Sequence, residues 1–146
     1  MGIEDSDPRS ISAWIKTVSN TASICAFGKN QTGQKWVLIV NNHGEVEGAT
    51  SALRTEIEGS RIVASTPLDD DSWHFVCSVL APYNSSLSGV SLFVDGNEET
   101  ISDLVNGTVL TNLSSNFVIG RAIIEQPSTQ FYNGLIDDVR IYDRAL

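Results

Sequence analysis

The chain alternates between apolar and polar side chains over Ser10-Ile11-Ser12-Ala13-Trp14-Ile15-Lys16-Thr17. Ile11, Ala13 and Ile15 fall on one face of this segment. Trp14 falls on the opposite face, among polar residues. A period of two residues is typical of a β-strand that buries one face, so the segment predicts a strand with its aliphatic face inside the protein.

Short segments of similar character continue to the end of the chain. They are Ser23–Phe27, Lys35–Asn41, Leu53–Glu58, Arg61–Ala64, Trp73–Leu80, Val90–Val94, Phe117–Gly120 and Leu135–Tyr142. Turn residues such as Gly59-Ser60 and Asp95-Gly96 separate several of them. About ten short strands without a helical period predict an all-β fold, namely an antiparallel two-sheet β-sandwich or jelly roll.

The charge balance excludes several classes of partner. The chain has 146 residues, with 9 Lys and Arg against 18 Asp and Glu, and a formal net charge of −9. Nucleic acids and anionic membrane surfaces attract clusters of Lys and Arg, which the sequence lacks. No apolar stretch approaches the roughly 18 residues of a membrane-spanning helix. We therefore expect neither nucleic-acid binding nor membrane insertion.

The two cysteines, Cys25 and Cys77, match no metal-binding or redox spacing. Cys77 alternates in phase with Trp73, Phe75 and Val79, which favours a small buried apolar residue. Free thiols are favoured over a disulfide because nothing in the chain resembles a disulfide-rich scaffold.

Five motifs occur in a recognisable order. They are Ser-Ala-Trp within Arg9–Lys16, Trp-His within Asp71–Val76, Val-Asp-Gly at the end of Leu92–Gly96, then Val118–Gly120, and Gly-Leu-Ile-Asp-Asp-Val-Arg-Ile-Tyr within Phe131–Leu146. In this order they resemble the laminin G-like, concanavalin A-like jelly-roll family of bacterial cell-surface and secreted proteins. The resemblance spans nearly the whole chain.

The resemblance implies one jelly-roll domain over residues 1–146, without the strand that members of the family usually carry before the Ser-Ala-Trp strand. It also implies an extracellular or cell-surface location within a larger parent chain that has further domains. The expected function is non-catalytic binding or adhesion, with a glycan or an extracellular protein as the partner. A structural spacer is an alternative, because a fold alone does not assign a function.

Catalysis is a second alternative, since related jelly rolls include glycan hydrolases. The resemblance implies an E-x-D-x-E type of motif in such enzymes, and the chain contains none. Glu56-Ile57-Glu58 and Glu45-Val46-Glu47 offer paired carboxylates at alternate strand positions, which suits a retaining glycosidase or a lyase. A charged outer strand face with Arg54 explains Glu56 and Glu58 more simply, and the prediction is that the chain is not an enzyme.

Asp137 departs from the pattern of its own segment. In strict alternation it shares a face with Leu135, Val139 and Ile141, which predicts a buried carboxylate. Such a group needs backbone hydrogen bonds or a cation. In similar hydrolases an aspartate in this setting helps hold a structural Ca²⁺ together with N-terminal groups, so the resemblance implies Asp137 with Asp5 or Asp7 as metal ligands. The acidic run Asp69-Asp70-Asp71 is a further candidate.

Ligand recognition is expected from two loops, because loops on a rigid scaffold commonly carry binding residues. The candidates are Tyr83 with Asn84, and Tyr132 with Asn133. Trp14 and Trp73 are expected in the core or supporting the sheet, since large aromatic residues mostly pack inside.

Overall fold

A computed structural model describes residues 2–20, 22–41, 47–112, 117–123 and 131–146. These residues form eleven strands and one turn of 3₁₀ helix at Leu87–Gly89. The strands are β1 (Arg9–Thr17), β2 (Ala22–Gly28), β3 (Lys35–Val40), β4 (Ala52–Glu56), β5 (Arg61–Pro67), β6 (His74–Leu80), β7 (Val90–Val94), β8 (Asn97–Glu98), β9 (Asp103–Val105), β10 (Val118–Ile119) and β11 (Gly134–Tyr142). None of the described residues belongs to a helix with the length and hydrophobicity of a membrane span.

The strands form two antiparallel sheets. One has the order β11-β1-β6-β7-β8 and the other the order β10-β2-β3-β4-β5-β9. The predicted all-β antiparallel two-sheet sandwich is confirmed, and each predicted strand has a counterpart in the structure. The pattern made no strand prediction for residues 97–116, where β8 and β9 form short edge strands.

The core lies between the two sheets. The aliphatic face of β1 is fully buried there, as its alternation predicts. Trp36 of β3 is among the largest fully buried side chains. Thr55 of β4 and Ser78 of β6 join the sheets through a hydrogen bond of 2.7 Å between their hydroxyl oxygens. This bond satisfies two polar groups that would otherwise be costly to bury.

Asp95-Gly96 forms the turn that its sequence predicts, whereas the turn predicted at Gly59-Ser60 is centred one residue earlier, on Glu58-Gly59. Asp95 and Gly96 both have positive φ, at 51° and 83°. Glu58 and Gly59 likewise have φ of 53° and 78° in the turn between β4 and β5. Paired positive φ values are typical of the type I′ turn, whose twist matches that of a hairpin.

A β-bulge in β11 changes the expected orientation of Asp137. The pairing of β1 with β11 shifts between Ser12↔Arg140 and Trp14↔Asp137, so one extra residue lies on β11. Asp138 has φ +48° within this bulge. The extra residue reverses the alternation, so Val139 still packs on the core while Asp137 is exposed. The prediction that Asp137 is buried was therefore wrong.

A buried arginine closes one end of the sandwich. The Arg9 guanidinium donates hydrogen bonds to the carbonyl oxygens of Asp7 (2.8 Å), Asp5 (2.8 Å) and Glu4 (3.2 Å), and to Thr111 Oγ1 (2.8 Å). It also lies 5.1 Å from the centroid of the Trp36 ring. Burial lowers the pKa of Arg9 to about 10, so it remains charged at neutral pH. The N-terminal segment is thereby attached to the core.

Cys25 and Cys77 are free thiols in the structure and lie in different sheets. Both are buried, and burial raises the pKa of Cys25 to about 12 and that of Cys77 to about 11. Buried thiols that stay protonated at neutral pH agree with the predicted role of small apolar residues, and Cys77 lines a hollow on the outer face of the five-stranded sheet.

Candidate functional site

The outer surface of the five-stranded sheet carries five aromatic side chains, which we call the aromatic face. They are Trp14, Trp73, Phe75, Phe93 and Tyr142. Trp14 is 41% exposed and Trp73 is 43% exposed. These two tryptophans were expected in the core or supporting the sheet, and the placement in the core was wrong. Trp14 alternates with the buried aliphatic residues of β1, so the same alternation that places those residues inside places the indole outside.

Trp14 lies in a row of side chains that crosses three strands. It pairs with Asp137 of β11 on one side and with Phe75 of β6 on the other. The Trp14 and Phe75 rings are tilted by 56°, with their centroids 5.5 Å apart. Such tilted aromatic pairs are favourable, and the contact restricts the orientation of the exposed indole.

Trp14, Trp73 and Asp137 line a cleft of about 270 Å³, which we call the aromatic cleft. A second hollow of about 370 Å³ adjoins it and shares the Trp14 wall. Its remaining lining residues are Ser12, Phe75, Asp138, Arg140, Tyr142 and Leu146. The small side chain of Ser12 leaves room for this hollow. The Leu146 backbone N–H donates a hydrogen bond to Ser10 Oγ at 2.9 Å. The aromatic face therefore carries two shallow, open depressions.

The charged groups around the cleft differ in whether they form an ion pair. Arg140 Nε donates a hydrogen bond to Asp138 Oδ1 at 2.9 Å, and Arg140 Nη2 forms an ion pair with Asp138 Oδ2 at 2.8 Å. Lys16 lies 3.5 Å from Asp71. Asp137 Oδ1 accepts the backbone N–H of Asp138 at 2.8 Å, and among the described residues its carboxylate has no cationic partner. The carboxylate of the cleft is consequently available to a ligand.

The backbone beside Trp73 is held by a histidine between two carboxylates. His74 Nδ1 lies 2.8 Å from Asp95 Oδ2, and His74 Nε2 lies 3.2 Å from Asp70 Oδ1. Asp95 Oδ1 also accepts the Phe75 backbone N–H at 2.8 Å. Burial alone would lower the pKa of His74, but the hydrogen bonds and charges of Asp95 and Asp70 outweigh it and raise the pKa. This arrangement positions one wall of the cleft.

Tyr83 and Asn84 lie in the loop that follows β6. Tyr83 is fully exposed with φ +65°, and Asn84 packs against Gly89. This loop follows Leu80, which pairs with Arg9 at the start of β1. It is therefore near the opposite end of β1 from the aromatic cleft.

Tyr132 and Asn133 precede β11 at the other end of the sheet. Tyr132 packs against the core, and burial raises its pKa to about 12. The carbonyl oxygen of Asn133 accepts a hydrogen bond from Thr17 Oγ1 at 2.6 Å. Since β1 is about 26 Å long at the usual rise per residue, the structure does not bring the two predicted pairs into one site. Their role in binding stays a prediction.

The predicted calcium ligands also lie apart. Asp5 and Asp7 precede the start of β1, whereas Asp137 pairs with Trp14, five residues further along that strand. This separates them by about 16 Å along the strand, too far for carboxylates to share one ion. Within the described ranges, no group of three or more His, Cys, Asp or Glu could hold a metal ion, and this includes the run Asp69–Asp71. The three ligands suggested by the resemblance do not fit one calcium site.

The paired carboxylates of Glu56 and Glu58 are engaged in ion pairs. Lys35 Nζ lies 2.7 Å from Glu56 and also pairs with Glu58, and Arg54 Nη2 lies 2.6 Å from Glu56. Ile57 is buried as predicted, but Arg54 is also buried rather than solvent-facing. Because Glu58 lies in the turn beyond β4, the regular strand spacing assumed for a catalytic pair does not apply.

One further sequence candidate lies partly outside the described residues. In Glu45-Val46-Glu47, only Glu47 is described, and it is exposed. The geometry of this pair is therefore not part of the site described above.

Comparison with known proteins gives one family match. A laminin G-type family model described as the concanavalin A-like lectin/glucanases superfamily matches residues 3–146. No curated protein sequence matches the chain.

Solved structures similar to this chain include three from different organisms. Domains LG4-5 of the mouse laminin alpha1 chain superpose with a TM-score of 0.68 at 12% identity, covering 99% of this chain and 37% of that one. A CBM40 of the Ruminococcus gnavus IT-sialidase, bound to alpha2,3 sialyllactose, gives a TM-score of 0.70 at 15% identity, with coverage of 96% and 77%. Domain 4 of AbnA, a GH43 extracellular arabinanase from Geobacillus stearothermophilus in complex with arabinotriose, gives 0.62 at 20% identity, with coverage of 96% and 62%. At these identities the similarity establishes the fold alone.

Proposed function

Because the chain belongs to the concanavalin A-like lectin/glucanases superfamily, we propose that it is a non-catalytic carbohydrate-binding module of a larger extracellular or cell-surface protein. The observation that carries the proposal is the aromatic cleft, in which two exposed tryptophans and a carboxylate line one concave space. Two similar structures were solved with an oligosaccharide bound, which supports the ligand class.

The chemistry of the cleft suits a sugar ring. A pyranose presents C–H groups on its faces and hydroxyl groups on its rim. Indole faces pack on the C–H groups, and a carboxylate accepts hydrogen bonds from the hydroxyl groups. The cleft volume of about 270 Å³ lies just below the roughly 300–1,000 Å³ typical of ligand pockets, which suits one sugar unit of a longer glycan.

The cost of binding is reduced by the rigid support of the cleft. Trp14 is held by Phe75, and the backbone beside Trp73 is held by His74. A site that is already ordered loses less side-chain entropy when a ligand binds. Trp14 and Trp73 are therefore expected to contribute most of the binding energy.

A glycan array followed by calorimetric titration of the glycans that bind tests the proposal. Trp14→Ala and Trp73→Ala should each weaken binding about tenfold or more, equivalent to about 1.4 kcal/mol. Tyr83→Ala tests the alternative site predicted in the loop after β6, because it removes a fully exposed aromatic side chain far from the cleft. It should leave the affinity within about twofold and the melting temperature near that of the wild type, because Tyr83 is fully exposed. The two tryptophan variants should melt below the wild type but remain folded at the temperature of the titration, because each indole is more than half buried and Trp14 packs on Phe75.

Two results would contradict the proposal. An array without any glycan bound would exclude carbohydrate recognition, and loss of binding in Tyr83→Ala alone would move the site to the loop after β6. A reducing-sugar assay on the same sample tests the catalytic alternative. Turnover that disappears in Glu56→Gln would identify an enzyme, whereas binding without turnover supports the proposed module.

A further inference from the structure

The aromatic cleft has a charge character that bears on which sugars it accepts. Asp137 is the charged residue among the three that line it. Its carboxylate is exposed and is hydrogen-bonded to the adjacent backbone N–H. An exposed carboxylate keeps most of its hydration until a ligand arrives, so it can exchange water for a ligand group at low cost.

The neighbouring cations do not neutralise this carboxylate. Arg140 forms a hydrogen bond and a second ion-pair contact with the Asp138 carboxylate, and Lys16 is paired with Asp71. Each of these pairs is close to neutral as a unit. The cleft therefore has a negative local potential, and the net charge of −9 over the chain reinforces it.

The two tryptophans also favour a cation over an anion in the cleft. The face of an indole ring carries negative π-electron density, which attracts a cation placed over it. Trp14 and Trp73 line the same cleft as Asp137. An ammonium group in the cleft would gain from the carboxylate and from the indole faces together, whereas an anionic group would be repelled by both.

Resting on the proposed carbohydrate-binding function, we propose that the aromatic cleft selects a positively charged amino sugar, such as an unacetylated glucosamine unit, over its neutral N-acetylated form, and rejects acidic sugars. The amine forms a charged hydrogen bond with Asp137 while the sugar ring packs on Trp14 or Trp73. An exposed ion pair and an exposed cation–π contact together correspond to a preference of about tenfold for the amine.

Three oligosaccharides matched in length test the selection by calorimetric titration at low ionic strength. They are a β-linked glucosamine oligomer, the same oligomer fully N-acetylated, and an oligouronate. The wild-type protein should bind the glucosamine oligomer about tenfold more tightly than the N-acetylated one, with no detectable binding of the oligouronate. The preference should shrink as salt is added, because the contacts are exposed to solvent.

Three variants distinguish selection by the cleft from the general attraction between an acidic protein and a cationic glycan. Asp137→Asn should reduce the tenfold preference to about twofold while binding of the N-acetylated oligomer persists. Asp143→Asn removes one negative charge from an exposed residue outside the cleft lining. This control should retain the preference, and Trp14→Ala should lose binding of both oligomers.

The outcomes distinguish the two proposals. Equal or tighter wild-type binding of the N-acetylated oligomer or of the oligouronate, still abolished by Trp14→Ala, would overturn the charge selection and leave the carbohydrate-binding function intact. A preference that is equal in Asp137→Asn and the wild type would likewise overturn the selection by this carboxylate. Absence of binding to these three oligomers and to every glycan of an array would overturn the proposed function itself.

Discussion

Replacing Arg9 with methionine tests how the N-terminal segment is attached to the sandwich. Arg9 has no exposed surface and donates four hydrogen bonds, three to backbone carbonyl oxygens and one to Thr111. Methionine has a similar length and is apolar, so the variant removes the charge and the hydrogen bonds while largely filling the same volume. We expect Arg9→Met to destabilise the fold.

The size of the effect follows from two opposing contributions. Four hydrogen bonds at about 1 kcal/mol each give about 4 kcal/mol, and the cation–π contact with Trp36 adds about 0.5–1 kcal/mol. Against this, methionine relieves the desolvation of a buried guanidinium, and water can reach the carbonyl oxygens of the exposed N-terminal residues. A net loss of about 3 kcal/mol is expected, which corresponds to a fall in melting temperature of about 6–12 °C for a chain of this size.

Two measurements check this prediction. Calorimetric melting gives the overall loss of stability. Arg144→Met is the matched control because Arg144 is exposed, and the melting temperature of this variant should stay within about 2 °C of the wild type. Amide hydrogen exchange gives the location of the effect. Asp5 N–H bonds to the Thr111 carbonyl at 2.8 Å, and its exchange should accelerate more in Arg9→Met than that of the core strands.

The reasoning would be refuted by an Arg9→Met protein as stable as the wild type. That result would mean that the four hydrogen bonds do no more than offset the burial of the charge, as happens for some buried ion pairs. Unchanged exchange at Asp5 together with a lower melting temperature would show that Arg9 acts through the core rings and not through the N-terminal segment.

Two further predictions concern pH and metal ions. Because Asp95 and Asp70 raise the pKa of His74 above its unfolded value of about 6.5, the stability that His74 contributes is complete below about pH 6.5 and is lost as the pH rises through the folded pKa. The His74 ring protons in an NMR titration should report a pKa above 6.5, and His74→Gln should flatten the fall in melting temperature on the alkaline side; a pKa below 6.5 would contradict the assignment. Excess EDTA should leave the melting temperature unchanged, since the predicted ligands Asp5 and Asp137 lie too far apart to share an ion; a drop of several degrees that calcium reverses would reveal a site built from other residues.

The alternation of side chains accounts for most of the fold that was predicted. In β1 the pattern distinguishes the buried aliphatic face from the exposed face correctly, because each successive residue of a strand points to the opposite side. Asp95-Gly96 predicts its turn because few other residue pairs accept two successive positive φ angles. These patterns depend on residues that are neighbours in the chain. They hold in the folded protein because each sheet buries one of its faces against the other sheet.

The candidate site was not predicted, for two different reasons. For Trp14 two signals conflict: the alternation of β1 places it on the exposed face, whereas the general tendency of tryptophan to pack inside favours the core. Asp137 carried a misleading signal, because one bulge residue reverses the alternation and nothing in the local pattern marks it. For Tyr83 and Tyr132, nothing in the sequence indicates which ends of the sheets these residues occupy.

Most of the strands, the Asp95-Gly96 turn, the two-sheet class and the acidic character of the molecule follow from the amino-acid sequence alone, because they depend on side-chain periodicity, turn propensity and charge. The grouping of Trp14, Trp73 and Asp137 in one cleft, by contrast, depends on the three-dimensional fold. These residues are separated by long stretches of chain and come together because β1 pairs with both β6 and β11. Strand order and the bulge in β11 result from the packing of the whole sandwich, and pairing between distant strands leaves no periodic trace in the sequence.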